Sequence, residues 1–286
     1  SNIIVISEPA AVTAGTTESL YSGGFNVSCS GAADGYIEVT ASGGTGNYTF
    51  TLGGAATLVQ TQPGAVYRFT GLGAGGYTID VEDANGCSMA PTLNVTLTAP
   101  VSVTASALVN SIHNGSDISC AGGSDGQLTV TASGGDGVYS YVLNEDIGNT
   151  TGNAGGVYTG LSSGSYTVTV TDANGNTGGC TTTVGPVNMF EPQPLVVTIN
   201  GDALLCNGDA DGNVTGTITG GTAGYIYDWD IDGVGDNDDT EDLSNLFPGW
   251  YYVTTTDANG CIIEDSIELT APPVLNTATS VTTNYN

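Results

Sequence analysis

The sequence repeats itself three times, and no single motif constrains the fold as much as that repetition. Aligned on cysteine, CSGAADG at 29–35 recurs as CAGGSDG at 120–126 and CNGDADG at 206–212. A GG-x-x-x-Y element follows in each copy: GGTGNY at 43–48, GGDGVY at 134–139 and GGTAGY at 220–225. Each copy closes on YTIDVEDANGC at 77–87, YTVTVTDANGNTGGC at 166–180 or YVTTTDANGC at 252–261, and the copies start 91 and 86 residues apart. Whatever one copy folds into, the other two must fold into as well.

The motifs predict strands. YTVTV alternates with a period of two and is rich in β-branched residues, the pattern of a strand with one buried face. DANG then supplies an Asx-type turn and a glycine for positive φ. GYIEVTAS, GQLTVTAS and GNVTGTIT read as further strands, each ending at a Gly-Gly turn. Turn spacing gives about seven strands in a unit of roughly 90 residues, an immunoglobulin-like β-sandwich. The expectation is an all-β chain of three tandem immunoglobulin-like sandwiches in an elongated array, joined by stiff Pro-containing segments at 98–103, 191–197 and 271–275. The boundaries are read as 9–99, 100–190 and 191–271. Residues 1–8 read as an orphan final strand, and 272–286 as an orphan first strand of a following or neighbouring unit. Either a longer array has been cut at both ends, or terminal strands pair between subunits.

Charge narrows the partners. Against 29 acidic residues stand one arginine, Arg68, and no lysine, for a formal net charge of -28. Nucleic acids and anionic membranes need clustered Lys or Arg, so neither is expected as a partner. No apolar run is long enough to insert in a membrane, and SNIIVISEPA lacks the regions of a signal peptide, so the chain reads as a mature, exported piece. The six cysteines have no CxxC spacing and no histidine nearby, which argues against zinc and for disulfides in an extracellular compartment. Within a copy the two cysteines are 55 to 60 residues apart. One internal bridge per sandwich is therefore expected: Cys29 to Cys87, Cys120 to Cys180 and Cys206 to Cys261. Free buried cysteines are the alternative.

Together, C-x-G-x-x-D-G, GG-x-x-x-Y and Y-x-V-x-V-x-D-A-N-G-C resemble the SprB-type repeat of giant Bacteroidetes cell-surface proteins, including a gliding-motility adhesin. The resemblance covers all three units and implies an exported, repetitive surface adhesin or fibre, secreted by the type IX route. Two departures, NTGG inserted before Cys180 and GWYY at 249–252, leave the framework intact.

Chemistry concentrates in one stretch, DWDIDGVGDNDDTED at 228–242, with eight acids in fifteen residues. Asp228, Asp230, Asp232, Asp236 and Asp239 fall at loop positions 1, 3, 5, 9 and 12 of a calcium loop, Gly233 at position 6 and the Val234 carbonyl at position 7. Calcium is thus the expected ion; a solvated acidic hairpin is the alternative. The acids common to all copies, Asp34, Asp125 and Asp211, and Asp83, Asp172 and Asp257, are expected to hold turns. His113, the single histidine, has no counterpart in the other copies, and no base stands ready to activate a serine, so no enzyme activity is expected. The functional expectation is an extracellular structural or adhesive protein, a rigid stalk or filament subunit whose partner is itself, assembling head to tail by strand addition. The rival is a carbohydrate-binding or other ligand-binding module, taking surface glycans on Trp229, Trp250 and Tyr251.

Overall fold

In the computed structural model, which describes residues 7–173, 179–230 and 239–277, the sole helical element among the described residues is a 3-10 turn at Ser22–Gly24. Everything else is strand and turn. The chain divides into two compact units, Ser1–Leu108 with Thr129–Tyr158 and Tyr166–Val187, and Val109–Leu128 with Thr159–Ser165 and Asn188–Asn286. The middle copy of the repeat contributes to both.

The first unit contains β1 (Thr13–Glu18), β2 (Gly35–Ser42), β3 (Tyr48–Gly54), β4 (Leu58–Gln62), β5 (Val66–Leu72), β6 (Gly75–Glu82) and β7 (Leu93–Leu97). They form two antiparallel sheets, β1-β2-β5 and β4-β3-β6-β7. The alternation read from GYIEVTAS is the packing itself: Ile37, Val39 and Ala41 face inward, opposed by Phe50 and Leu52 of β3 and by Tyr77, Ile79 and Val81 of β6. Full burial of each large side chain stabilises by about 1.5–3 kcal/mol.

The next six strands are β8 (Val101–Val109), β9 (Gly126–Gly135), β10 (Tyr139–Leu143), β11 (Val157–Leu161), β12 (Gly164–Asp172) and β13 (Thr181–Met189), in sheets ordered β11-β9-β8 and β10-β12-β13. In the second unit follow β14 (Val196–Gly201), β15 (Gly212–Thr219), β16 (Ile226–Trp229), β17 (Leu243–Leu246), β18 (Gly249–Thr256) and β19 (Ile262–Leu269). Their sheets, β14-β15-β17 and β16-β18-β19, enclose Leu204, Val214, Trp229, Leu246, Val253 and Leu269. The all-β, immunoglobulin-like reading holds, and the three strand runs singled out in the sequence are β2, β9 and β15. Among the described residues the copies carry seven, six and six strands.

The cysteine pairing departs from expectation. Cys29 bonds Cys180, and Cys120 bonds Cys261, with Cα separations of 5.6 and 5.7 Å. None of the pairs expected within a copy, Cys29–Cys87, Cys120–Cys180 or Cys206–Cys261, forms; Cys87 and Cys206 carry free thiols and are exposed, not buried. Strand register gives the reason. Gly35, at the start of β2, pairs with Leu72, just before β6 begins at Gly75, so Cys29 sits at the end of the sandwich where β6 starts. Cys87 follows the other end of β6, eight residues away along the strand. At about 3.3 Å per residue that is on the order of 25 Å, whereas a disulfide needs Cα atoms within about 7 Å. Instead, the first cysteines of the first and second copies bond the second cysteines of the second and third.

Candidate functional site

Each copy is closed by an aspartate clamp that joins the GG-x-x-x-Y turn to the DANGC turn. Asp83, Asp172 and Asp257, the last residues before A-N-G, are all buried. Asp257 Oδ2 accepts the N–H of Thr222 at 2.7 Å, and Oδ1 accepts those of Asn259 and Cys261 at 2.9 Å. Asp83 takes the N–H groups of Thr45 at 3.0 Å and of Asn85 and Cys87 at 2.9 Å. Asp172 takes those of Asp136 at 3.3 Å and Cys180 at 2.6 Å. The Cys87 N–H foremost, with Thr45 and Asn85, holds the Asp83 carboxyl below the usual carboxylate range. The tyrosine of the same motif donates to the carbonyl of the first glycine in all copies: Tyr48 to Gly43 at 2.6 Å, Tyr139 to Gly134 at 2.5 Å and Tyr225 to Gly220 at 2.7 Å.

A second clamp presents the first cysteine. The N–H of the residue before it donates to the D-G aspartate: Ser28 to Asp34 and Ser119 to Asp125 at 3.0 Å, Leu205 to Asp211 at 3.2 Å. Hydrogen bonds from Ser119 foremost lower the Asp125 carboxyl; in Asp34, burial pushes upward and the bonds from Ser28 prevail. The turn-holding role expected of all six recurrent aspartates is thus what their geometry serves.

Where copies meet within a unit, both clamps converge on a disulfide. Cys180 Sγ lies 3.3 Å from the Ser28 carbonyl oxygen, and Cys261 Sγ lies 3.4 Å from that of Ser119. Asn259 of the DANG turn donates to the Ser119 carbonyl at 3.0 Å and the His113 carbonyl at 3.3 Å. A shallow cleft runs beside each bond, lined by Ser30 and Val101–Val103 at Cys29–Cys180 and by Pro194, Leu195 and Ile262 at Cys120–Cys261.

The acidic loop is described at its two ends. Asp232, Val234 and Asp236 lie outside the described residues. Asp228 is buried on β16, Asp230 is exposed just beyond it, and Asp239 bridges to Tyr227 across the loop base. Asp239 Oδ2 accepts the Trp229 N–H at 2.5 Å, and the Trp229 indole donates to the Thr240 carbonyl at 3.1 Å. The backbone bridge closes the loop base between Tyr227 and Asp239, one residue from Asp228, and the Asp239 carboxylate is taken up by the Trp229 N–H. Among the described residues alone, no three metal-ligating side chains gather.

The family model described as the SprB repeat matches three stretches, 26–57, 114–146 and 204–233. The chain carries three SprB repeats. Each match takes in the first cysteine, its D-G clamp and the GG-x-x-x-Y turn, and together they cover about a third of the chain; the DANGC segments lie outside them. No curated protein matches. Among solved structures, a C-terminal 282-residue fragment of intimin, in complex with the intimin-binding domain of its translocated receptor, is similar at 14% identity and a TM-score of 0.33, over 66% of this chain and 67% of that one. The N-terminal eight Ig domains of DSCAM are similar at 13% identity and 0.32, over 85% of this chain and 35% of that one. Chicken CNTN1 FN1-FN3 is similar at 15% and 0.23, over 84% and 95%.

Residues peculiar to one SprB repeat fall into place locally. His113 Nε2 lies 3.4 Å from Asp125 Oδ2, beside the first-cysteine clamp of the second repeat. Arg68 ion-pairs with Glu38 at 2.7 Å and lies 4.2 Å over the Tyr36 ring. Of the aromatic residues considered for glycan binding, Trp229 is core; Trp250 is exposed and stacks on Tyr252, centroids 6.2 Å apart, while Tyr251 is half-buried. Sequence reasoning missed the cross-repeat disulfides and Asn259. Six cysteines allow fifteen pairings, and pairing within a repeat looks the same in sequence as pairing one repeat onward.

Proposed function

We propose that this chain is a non-enzymatic structural segment of a bacterial surface protein, an adhesin shaft or filament subunit that works outside the cell. SprB repeats are repeats of cell-surface proteins, and the observation that carries the mechanical part is that each disulfide runs from one repeat to the next. A bridge inside a sandwich would strengthen that sandwich alone. A bridge across a junction also resists bending and pulling between neighbours. Calcium at Asp228, Asp230, Asp232, Val234, Asp236 and Asp239 would stiffen the inserted loop of the third repeat in the same sense; the spacing of these residues in the sequence supports it. The natural partner of such a shaft is another SprB repeat.

Surface exposure is tested on intact cells. Antibodies against the chain should label them without permeabilisation, and external protease should remove the label. A chain detectable only after lysis would sink the reading.

A second reading, glycan binding, is favoured by the exposed Trp250–Tyr252 stack on β18. Binding to a glycan array that disappears in Trp250→Ala would establish it; an array with no signal would remove it.

A further inference from the structure

The two disulfides obey one rule: the first cysteine of a repeat bonds the second cysteine of the repeat that follows. Cys206 is a first cysteine and Cys87 a second cysteine, and both are exposed free thiols. They are complementary halves of the same bond. We propose that Cys206 of one copy of this chain forms a disulfide with Cys87 of another, reproducing the internal junctions and linking copies head to tail. The proposal rests on the surface-shaft reading above and specifies how its units join.

Both halves are already built. The Cys87 N–H is held by Asp83 at 2.9 Å, as Cys180 is by Asp172 at 2.6 Å and Cys261 by Asp257 at 2.9 Å. On the other side, Leu205 is held by Asp211 at 3.2 Å, as Ser28 and Ser119 are by Asp34 and Asp125 at 3.0 Å. What differs is cover. Ser28, inside a closed junction, is 8% exposed; Leu205, in the equivalent position, is 82% exposed. A leucine side chain at that position offers apolar area for a docking repeat to bury. Asn85 corresponds to Asn259. It is held by Thr45 at 2.6 Å as Asn259 is by Thr222 at 2.9 Å, and it lies exposed where Asn259 reaches the Ser119 carbonyl. In the new junction Asn85 would meet the Leu205 carbonyl of the other copy.

The chemistry needs an oxidant, and a small-molecule disulfide such as oxidised glutathione supplies it. The Cys206 thiolate attacks one sulfur of the small disulfide, forming a mixed disulfide and releasing one small thiolate. The Cys87 thiolate of the second copy then attacks the Cys206 sulfur and releases the second. Two protein thiols lose two protons and two electrons, and two small thiols carry them away. Two chains of net charge -28 repel, so approach requires salt; at about 0.15 M the Debye length is about 8 Å, short enough for ends to meet.

The test uses the purified chain with oxidised glutathione at that salt. Non-reducing electrophoresis should show a ladder that reduction collapses, and peptide mapping should find Cys87 joined to Cys206 in the multimers. Cys87→Ser and Cys206→Ser should each dimerise only slowly alone, through their one remaining free cysteine, and give a dimer, and nothing larger, when mixed. The mixed dimer should form at least about tenfold faster than either like-with-like dimer, which corresponds to about 1.4 kcal/mol of docking preference. Like-with-like dimers forming as fast as the mixed one would overturn the proposal, as would a Cys87–Cys206 bond within one monomer or two thiols that stay free. None of these results bears on antibody labelling of cells, so the junction can fail while the surface reading stands.

Discussion

Asp257 takes the N–H of Thr222 from the turn before β16 and the N–H of Cys261 from the turn after β18, tying together two motifs 35 and 4 residues distant in sequence. The same bond pattern recurs at Asp83 and in part at Asp172. One buried carboxylate thus sets the conformation that presents each repeat's second cysteine, and it connects fold to junction.

Removing that carboxylate should be costly. Asp257→Ala leaves the N–H groups of Thr222, Asn259 and Cys261 without their acceptor, so we expect a loss of about 3–5 kcal/mol in the third repeat. Guanidinium unfolding followed by the fluorescence of Trp229 and Trp250, both in the third repeat, measures it; an unchanged midpoint would remove the clamp from the account.

Asp83 makes a pH prediction. Its folded carboxyl titrates below its unfolded value, so its contribution is present above the unfolded value, about pH 4, and is lost as pH falls through the folded one. Asp83→Asn should therefore lower the melting temperature at pH 7, and the gap from the natural chain should close in strong acid. A gap independent of pH would contradict the assignment.

The Gly-Gly turn predicts a steric effect. Gly220 has φ +72, and a Cβ there would overlap the Pro194 carbonyl oxygen. Gly220→Ala should destabilise by at least about 2 kcal/mol, while Gly249→Ala, whose Cβ would meet open space, should cost less. Equal effects on the melting temperature would show that the close approach is unimportant.

Reducing the junctions should loosen them. The bridge Cys120–Cys261 closes a loop of 141 residues, for which the chain-entropy model gives about 5 kcal/mol. The double variant Cys120→Ser with Cys261→Ser should unfold at clearly lower denaturant than the oxidised parent, and the two should match once both are fully reduced.

Calcium binding can be read from Trp229, which hydrogen-bonds into the acidic loop at Asp239 and Thr240. In a Trp250→Phe background it is the one tryptophan left. Titration should change its emission with a dissociation constant on the order of 10⁻⁴–10⁻³ M, and Asp230→Asn should weaken it. No change up to the top of that range would refute the site.

Period, strands and turns are legible in the residues alone, because alternation such as Ile37-x-Val39-x-Ala41 and signals such as D-A-N-G act over a few residues. The sequence also marked the recurrent aspartates as turn holders, whereas the bonds of the GG-x-x-x-Y tyrosines to their glycine carbonyls appeared only in the fold. Cysteine pairing was decided by tertiary structure alone. An antiparallel strand of eight residues carries Cys87 to the far end of its sandwich from Cys29, and only the packing of consecutive repeats brings Cys29 to Cys180. Sequence separation counts residues along the chain, whereas a disulfide requires distance and direction in space, and a repeating chain offers the same cysteines at every junction.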